Sequence, residues 1–231
     1  MEMDNQSPFK SCLSQVERRL AKVNAAFEDV QTHLLWGNIN GAFESAFDLV
    51  DQSERMTLLT RSLPAYTGHP RAKEMMEVVM QKAFPIKIGI TGEGWFCVVI
   101  PALLPKKEKG SADYIGDLFF LAMSRFWRFK KPVRYTDCVL IFRHVYDRER
   151  PERGFRDHDN IELNKITDII ALYVMADDAP MHCRHYYCSA RGSEDRTEVY
   201  VVPVYEFPQW LILENTFDDE GVKFNEDMAE I

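Results

Sequence analysis

The chain has 231 residues, 46% of them hydrophobic and 12% aromatic, too much apolar content for wholesale disorder and enough for one large domain or one domain with an extension. Its net charge of -8 would argue against a polyanionic partner if evenly spread, but residues 204–231 hold eight acids against one lysine, while residues 105–156 hold thirteen Lys/Arg against seven Asp/Glu; local fields govern encounter. No stretch nears the ~20 apolar residues of a membrane span. Residues 1–15 show no leader pattern, and five widely spaced cysteines fit reduced thiols, so a cytoplasmic location with no membrane partner is expected.

The first third reads as helix. Phe9, Leu13, Val16, Leu20, Val23, Ala26, Phe27 and Val30 recur at steps of three and four across residues 8–33, the period of an amphipathic helix. Trp36-Gly37-Asn38 breaks it, and a second helical run spans Ile39 to Val50. Pro64 and Gly68-His69-Pro70 punctuate again before a third helix, Arg71 to Ala83. Residues 1–84 are therefore expected to form a helical extension.

The period then changes. Ile86 to Ile90 and Trp95 to Ile100 read as strands around the turn Thr91-Gly92-Glu93-Gly94. A helix is expected over Ala112 to Phe129, a strand over Asp137 to Tyr146, and a helix from about Asn160 to Val174. Strands at about 183–190 and 197–204 follow. The order β-β-α-β-α-β-β predicts an α/β (α+β) domain over residues 85–204, a mixed β-sheet with packed helices, with residues 205–231 as an acidic tail.

Chemistry concentrates in residues 156–178, RDHDNIELNKITDIIALYVMADD. Asp157 and Asp159 lie at the end of a basic loop where a helix should start, and Asp177-Asp178 lie beyond its other end. Hard cations take carboxylate oxygens and keep several waters, so a few acids on adjacent elements suffice. Phosphodiester hydrolysis uses such ions to generate hydroxide and to stabilise the attacking and leaving oxygens. Cations such as Arg153 and Arg156, leading into the acids, would hold a nucleic-acid backbone. Helix capping by Asp157, Asp159 and Asn160, and a plain turn at Asp177-Asp178, are the structural alternatives.

This segment resembles the RusA-type Holliday junction resolvases. Asp157, Asp159 and Asn160 match that family's Asp-x-Asp-Asn element, Asp168 its helical aspartate and Asp177-Asp178 its final pair, over a similar order of elements across residues 95–204. The resemblance implies a metal-dependent endonuclease acting on branched DNA. Asp157, Asp159 and Asp178 would ligate Mg²⁺ (or Mn²⁺), supported by Asn160, Asp168 and Asp177, and a homodimer would make paired cuts. The family's lysine falls three residues after the Asn, where this chain has Leu163; the lysine available here is Lys165, which is expected to serve as the phosphate partner. A DNA-binding accessory protein that keeps the fold but not efficient cleavage is the alternative reading.

Other features are less specific. Lys106, Lys107 and Lys109, with Arg128, Lys130 and Lys131, are candidate phosphate contacts, and the interleaved Trp127 and Phe129 could stack on unpaired bases or lie in the core. His182, Cys183, His185 and Cys188 fall within seven residues, but strand alternation sets Cys183 and His185 on the opposite face from His182 and Cys188, a poor zinc set. The Gly89–Gly94 segment lacks the Lys-Ser/Thr of a phosphate loop, so no nucleotide cofactor is expected.

Overall fold

The computed structural model describes residues 6–105, 111–131, 133–150, 157–158, 161–217 and 223–225. It divides into two compact units, Met1–Val79 and Met80–Ile231.

The first unit is helical. Helix α1 spans Gln6–Leu35 and α2 spans Ile39–Ser62. Between them, Gly37 takes a positive φ of 66°, the left-handed conformation that ends helices. Asn38 then caps α2 by accepting the Gly41 N–H at 3.0 Å. Helix α2 extends beyond its expected end at Val50, because residues 51–62 contain neither Pro nor Gly and Leu49, Met56 and Leu59 continue the half-buried face. A 3₁₀ turn, Leu63–Thr67, follows, with Pro64 near its start. Helix α3, Ala72–Ala83, contains the division between the units.

The second unit is α+β. Its strands are β1 (Lys87–Ile90), β2 (Phe96–Ile100), β3 (Cys138–Asp147), β4 (Cys183–Gly192) and β5 (Arg196–Pro203). Its helices are α4 (Ser111–Trp127), α5 (Asn164–Val174) and α6 (Phe207–Leu213). The sheet runs β1-β2-β5-β3-β4, with every pair antiparallel except β3 and β4. Gly94, with φ of 93°, closes the β1–β2 turn, its N–H donating to Thr91 O at 3.0 Å.

Strand alternation builds two cores. Leu140 and Phe142 of β3, with Phe96, Val98, Val199 and Val201, lie beneath Ile115, Phe119 and Met123 of α4 and Ile166, Ile169 and Ile170 of α5. Val139 and Ile141, with Cys97, Tyr200 and Val202, face the other way, against Trp210 of α6. The parallel β3–β4 pair needs a crossover, which α5 provides. β1 and β4 form the two edges of the sheet.

Two expectations change. The acidic segment is not wholly a tail: Phe207, Trp210 and Phe217 are spaced apolar residues that cover the second sheet face, and Asn225 N–H donates to Ile90 O at 2.8 Å. Helix α5 begins at Asn164 rather than Asn160; the Glu162 carboxylate accepts the Asn164 N–H at 3.0 Å.

Candidate functional site

Parallel register sets the geometry of the site. Leu140, Phe142 and His144 of β3 stand opposite His185, Tyr187 and Ser189 of β4. Because alternate side chains share a face, His185, Tyr187 and Ser189 project on the α5 side of the edge strand. Asn164, Thr167 and Asp168 from the first half of α5 approach from above, and Asp178 closes the space from the segment after that helix. His158, Asn164, Thr167, Asp168, Asp178, His185 and Tyr187 line a cleft of about 530 Å³.

Rings order the floor of the cleft. Tyr187 stacks on Phe142 with centroids 5.9 Å apart, and His185 stacks on the same ring at 6.5 Å. His185 Nδ1 lies 3.1 Å from the Tyr187 hydroxyl, and His158 Nε2 lies 3.0 Å from Ser189 Oγ. Burial, and secondarily Cys183, push the Tyr187 phenol above its ordinary value. The phenol therefore stays protonated at neutral pH, within hydrogen-bond reach of His185 Nδ1. Behind His158, its ring centroid 5.6 Å away, His144 is fully buried with Nδ1 3.4 Å from Thr197 Oγ1.

Of the sequence-predicted residues, Asp168 and Asp178 line this cleft and are exposed in it. Asp157 is exposed one residue before His158 and is not part of the lining. Asp159 and Asn160 lie outside the described residues. Asp177 serves a turn, its Oδ1 accepting the Ala179 N–H at 3.1 Å. Lys165 is not part of the lining. It sits about 100° round α5 from Asn164, its stem packs over Gly116, and its Nζ lies 3.3 Å from Asp117 Oδ1 on α4. Among the described residues, no three His, Cys, Asp or Glu side chains form a metal-binding group.

The expected DNA contacts divide similarly. Lys106, Lys107, Lys109, Arg153 and Arg156 lie outside the described residues. Arg128 and Lys131 are exposed, Arg128 lies over the Phe129 ring at 5.2 Å, and Lys130 lies over Phe126 at 4.2 Å. Phe129 is 81% exposed. Trp127 is instead a core residue, stacked on Phe96 at 6.0 Å. The cysteines follow the strand alternation: Cys183 belongs to the α5-side core and Cys188 to the other. Cys183 pairs with Cys138 across β3–β4, and their hydrogen bond, with burial, holds the Cys138 thiol well above its ordinary pKa.

Sequence reasoning missed His158, His185 and Tyr187 as cleft residues. For His185 and Tyr187 the signal was present, since alternate positions of an edge strand share a face, but nothing in the sequence said which helix would cover that face; His158, outside any strand, carried no such signal.

A protein-family model described as a family of unknown function, DUF6100, matches residues 4–226, and the chain belongs to that family. No curated protein and no solved structure matches it.

Proposed function

For this member of the DUF6100 family, we propose a metal-dependent endonuclease activity on branched DNA, centred on the cleft between α5 and β4. The observation that carries the reading is that Asp168 and Asp178, ten residues apart in sequence, open into one cleft with His158 and His185. Exposed carboxylates in a water-accessible cleft suit a hard cation, which needs few protein ligands because it retains water. In this reading Asp178 would hold Mg²⁺ or Mn²⁺ in the cleft with Asp168 in support, and Asp157 and Asp159 are the further ligands that the resemblance implies. When bound, such an ion supplies a hydroxide at neutral pH and charge to stabilise the attacked phosphate.

The chain's own groups do the remainder. When protonated on both ring nitrogens, His185, oriented by Tyr187 and Phe142, can give a proton to a leaving oxygen, and neutral His158, oriented by Ser189, can take one from water. Arg128 and Lys131 offer charge to the backbone and Phe129 a face for an unpaired base. Paired cuts in a two-fold junction call for two copies of the chain.

A second reading, a DNA-binding accessory protein without efficient cleavage, is favoured by one observation: Lys165 pairs with Asp117 on α4 and is not part of the cleft lining. Incubation of full-length protein with four-way junctions and Mg²⁺ or Mn²⁺ separates the two. The nuclease reading expects nicking that Asp178→Asn abolishes. Junction binding with no nicking in either metal supports the accessory reading and overturns the first.

A further inference from the structure

From Phe9 through Leu34 the apolar residues of α1 recur at alternating steps of four and three, a heptad pattern held over almost the whole helix. Helix α2 covers only half of that seam. Val16, Val23 and Val30 are half-buried, near the buried Cys12, Ala26 and Ala42. Leu13, Leu20, Phe27 and Leu34, seven residues apart, remain 38%, 46%, 50% and 64% exposed. On α2, Phe43, Phe47 and Val50 are more than half exposed, the two phenyl rings 4.8 Å apart.

The two open stripes belong to one surface. Arg19 Nη1 donates to Gln52 Oε1 at 2.7 Å, which fixes the antiparallel register of the hairpin. At ~100° per residue, this register places Phe43, Phe47 and Val50 on the same flank as the α1 stripe. The opposite flank carries Arg18, Arg19, Lys22 and Arg55 around a shallow groove. The hairpin therefore has one apolar side and one basic side.

Size and pattern identify the occupant. Seven large apolar side chains, each exposed by roughly 100 Å², leave about 700 Å² open per copy, close to the ~800 Å² that each partner contributes to a standard interface. The α1 stripe has equal spacing, so it reads the same from either end. A two-fold axis between Leu20 and Phe27 sets each of them opposite the other's counterpart, and Leu13 opposite Leu34, the self-complementarity that an isologous interface requires. Helices α1 and α2 carry six Lys/Arg against seven Asp/Glu, so two hairpins meet with little net repulsion. We propose that a second copy of this chain docks on this flank, hairpin against hairpin, and closes a four-helix bundle. The inference rests on the two helices alone and is independent of the nuclease reading.

Sedimentation of the full chain at about 50 µM tests it, since a specific interface of this size holds at micromolar concentration or below. The expected result is a dimer. Leu20→Glu combined with Phe27→Glu should weaken it by at least ~30-fold with an unchanged circular dichroism spectrum, whereas Arg18→Glu on the other flank should leave it intact. If the charged variant does not fold, a Leu20→Cys, Phe27→Cys chain oxidised in its native state replaces it: cross-linked dimers support the proposal and monomers alone overturn it. A monomeric wild-type chain, its flank covered by its own second unit or awaiting a foreign helix, overturns it, as does a dimer that survives the paired glutamates.

Discussion

Lys165 Nζ lies 3.3 Å from Asp117 Oδ1, so the one lysine of the motif helix bridges α5 to α4 instead of entering the cleft where Asp168 and Asp178 open. Both partners are substantially exposed, 36% and 77%, which limits such a pair to ~0–1 kcal/mol. Lys165→Ala should therefore change the melting temperature little and junction nicking by no more than about twofold, against a loss of about 100-fold or more for Asp178→Asn. A large activity loss in Lys165→Ala with unchanged stability would return the lysine to the reaction.

Glu198 anchors the opposite sheet face. It is fully buried and accepts from Arg143 at 2.8 Å, Arg196 at 2.7 Å and the Tyr200 hydroxyl at 2.8 Å. Removing it leaves two guanidinium groups near the core without their carboxylate. Glu198→Ala should cost roughly 3–5 kcal/mol in chemical denaturation, far more than Glu214→Ala, whose carboxylate takes a 3.3 Å bond from the Tyr186 hydroxyl and no guanidinium partner among the described residues.

That network marks the limit of what could be read in advance. The order of strands and helices followed from periodicity, because runs such as Cys138–Tyr146 and Ile115–Phe126 bury their apolar residues at the spacing their own geometry demands. Sheet order did not follow, since β5 inserts between β2 and β3 through pairings distant in sequence. Trp210 was hidden among acids, although it and Phe217 complete a core. At the site, Asp168 and Asp178 were legible as motif acids, whereas His185 and Tyr187 became cleft residues only through the parallel β3–β4 register.

Alkaline pH should destabilise the second unit. Burial first, then neighbouring charge, raises Cys97 from an ordinary thiol value of 9.0 and Tyr200 from a phenol value of 10.0. A raised folded pKa favours the protonated state in the fold. The associated stability is fully present below the unfolded value and is lost as pH climbs from there towards the folded one. Thermal unfolding should show a flat melting temperature up to about pH 8.5 and a fall above it, the fall smaller in Cys97→Ala once compared with its own neutral-pH value. A melting temperature rising above pH 9 would contradict this.

Trp127 and Phe129 should separate stability from binding. Trp127 is 6% exposed and Phe129 81%. Trp127→Ala should cost about 3–5 kcal/mol of stability. Phe129→Ala should leave the melting temperature unchanged and weaken single-stranded or junction DNA by about 5-fold or more, the lower end of base–aromatic stacking. Unaltered DNA affinity in Phe129→Ala would remove it from the interface.

Mn²⁺ titration of the full chain, followed by electron paramagnetic resonance, reads directly whether the cleft acids hold a divalent ion. Binding to the wild type should weaken by at least about 10-fold in Asp178→Asn and remain unchanged in Asp177→Asn, because Asp178 opens into the cleft while Asp177 caps a turn. Equal Mn²⁺ affinity in wild type and Asp178→Asn, or no binding to either, would contradict the proposed ion site.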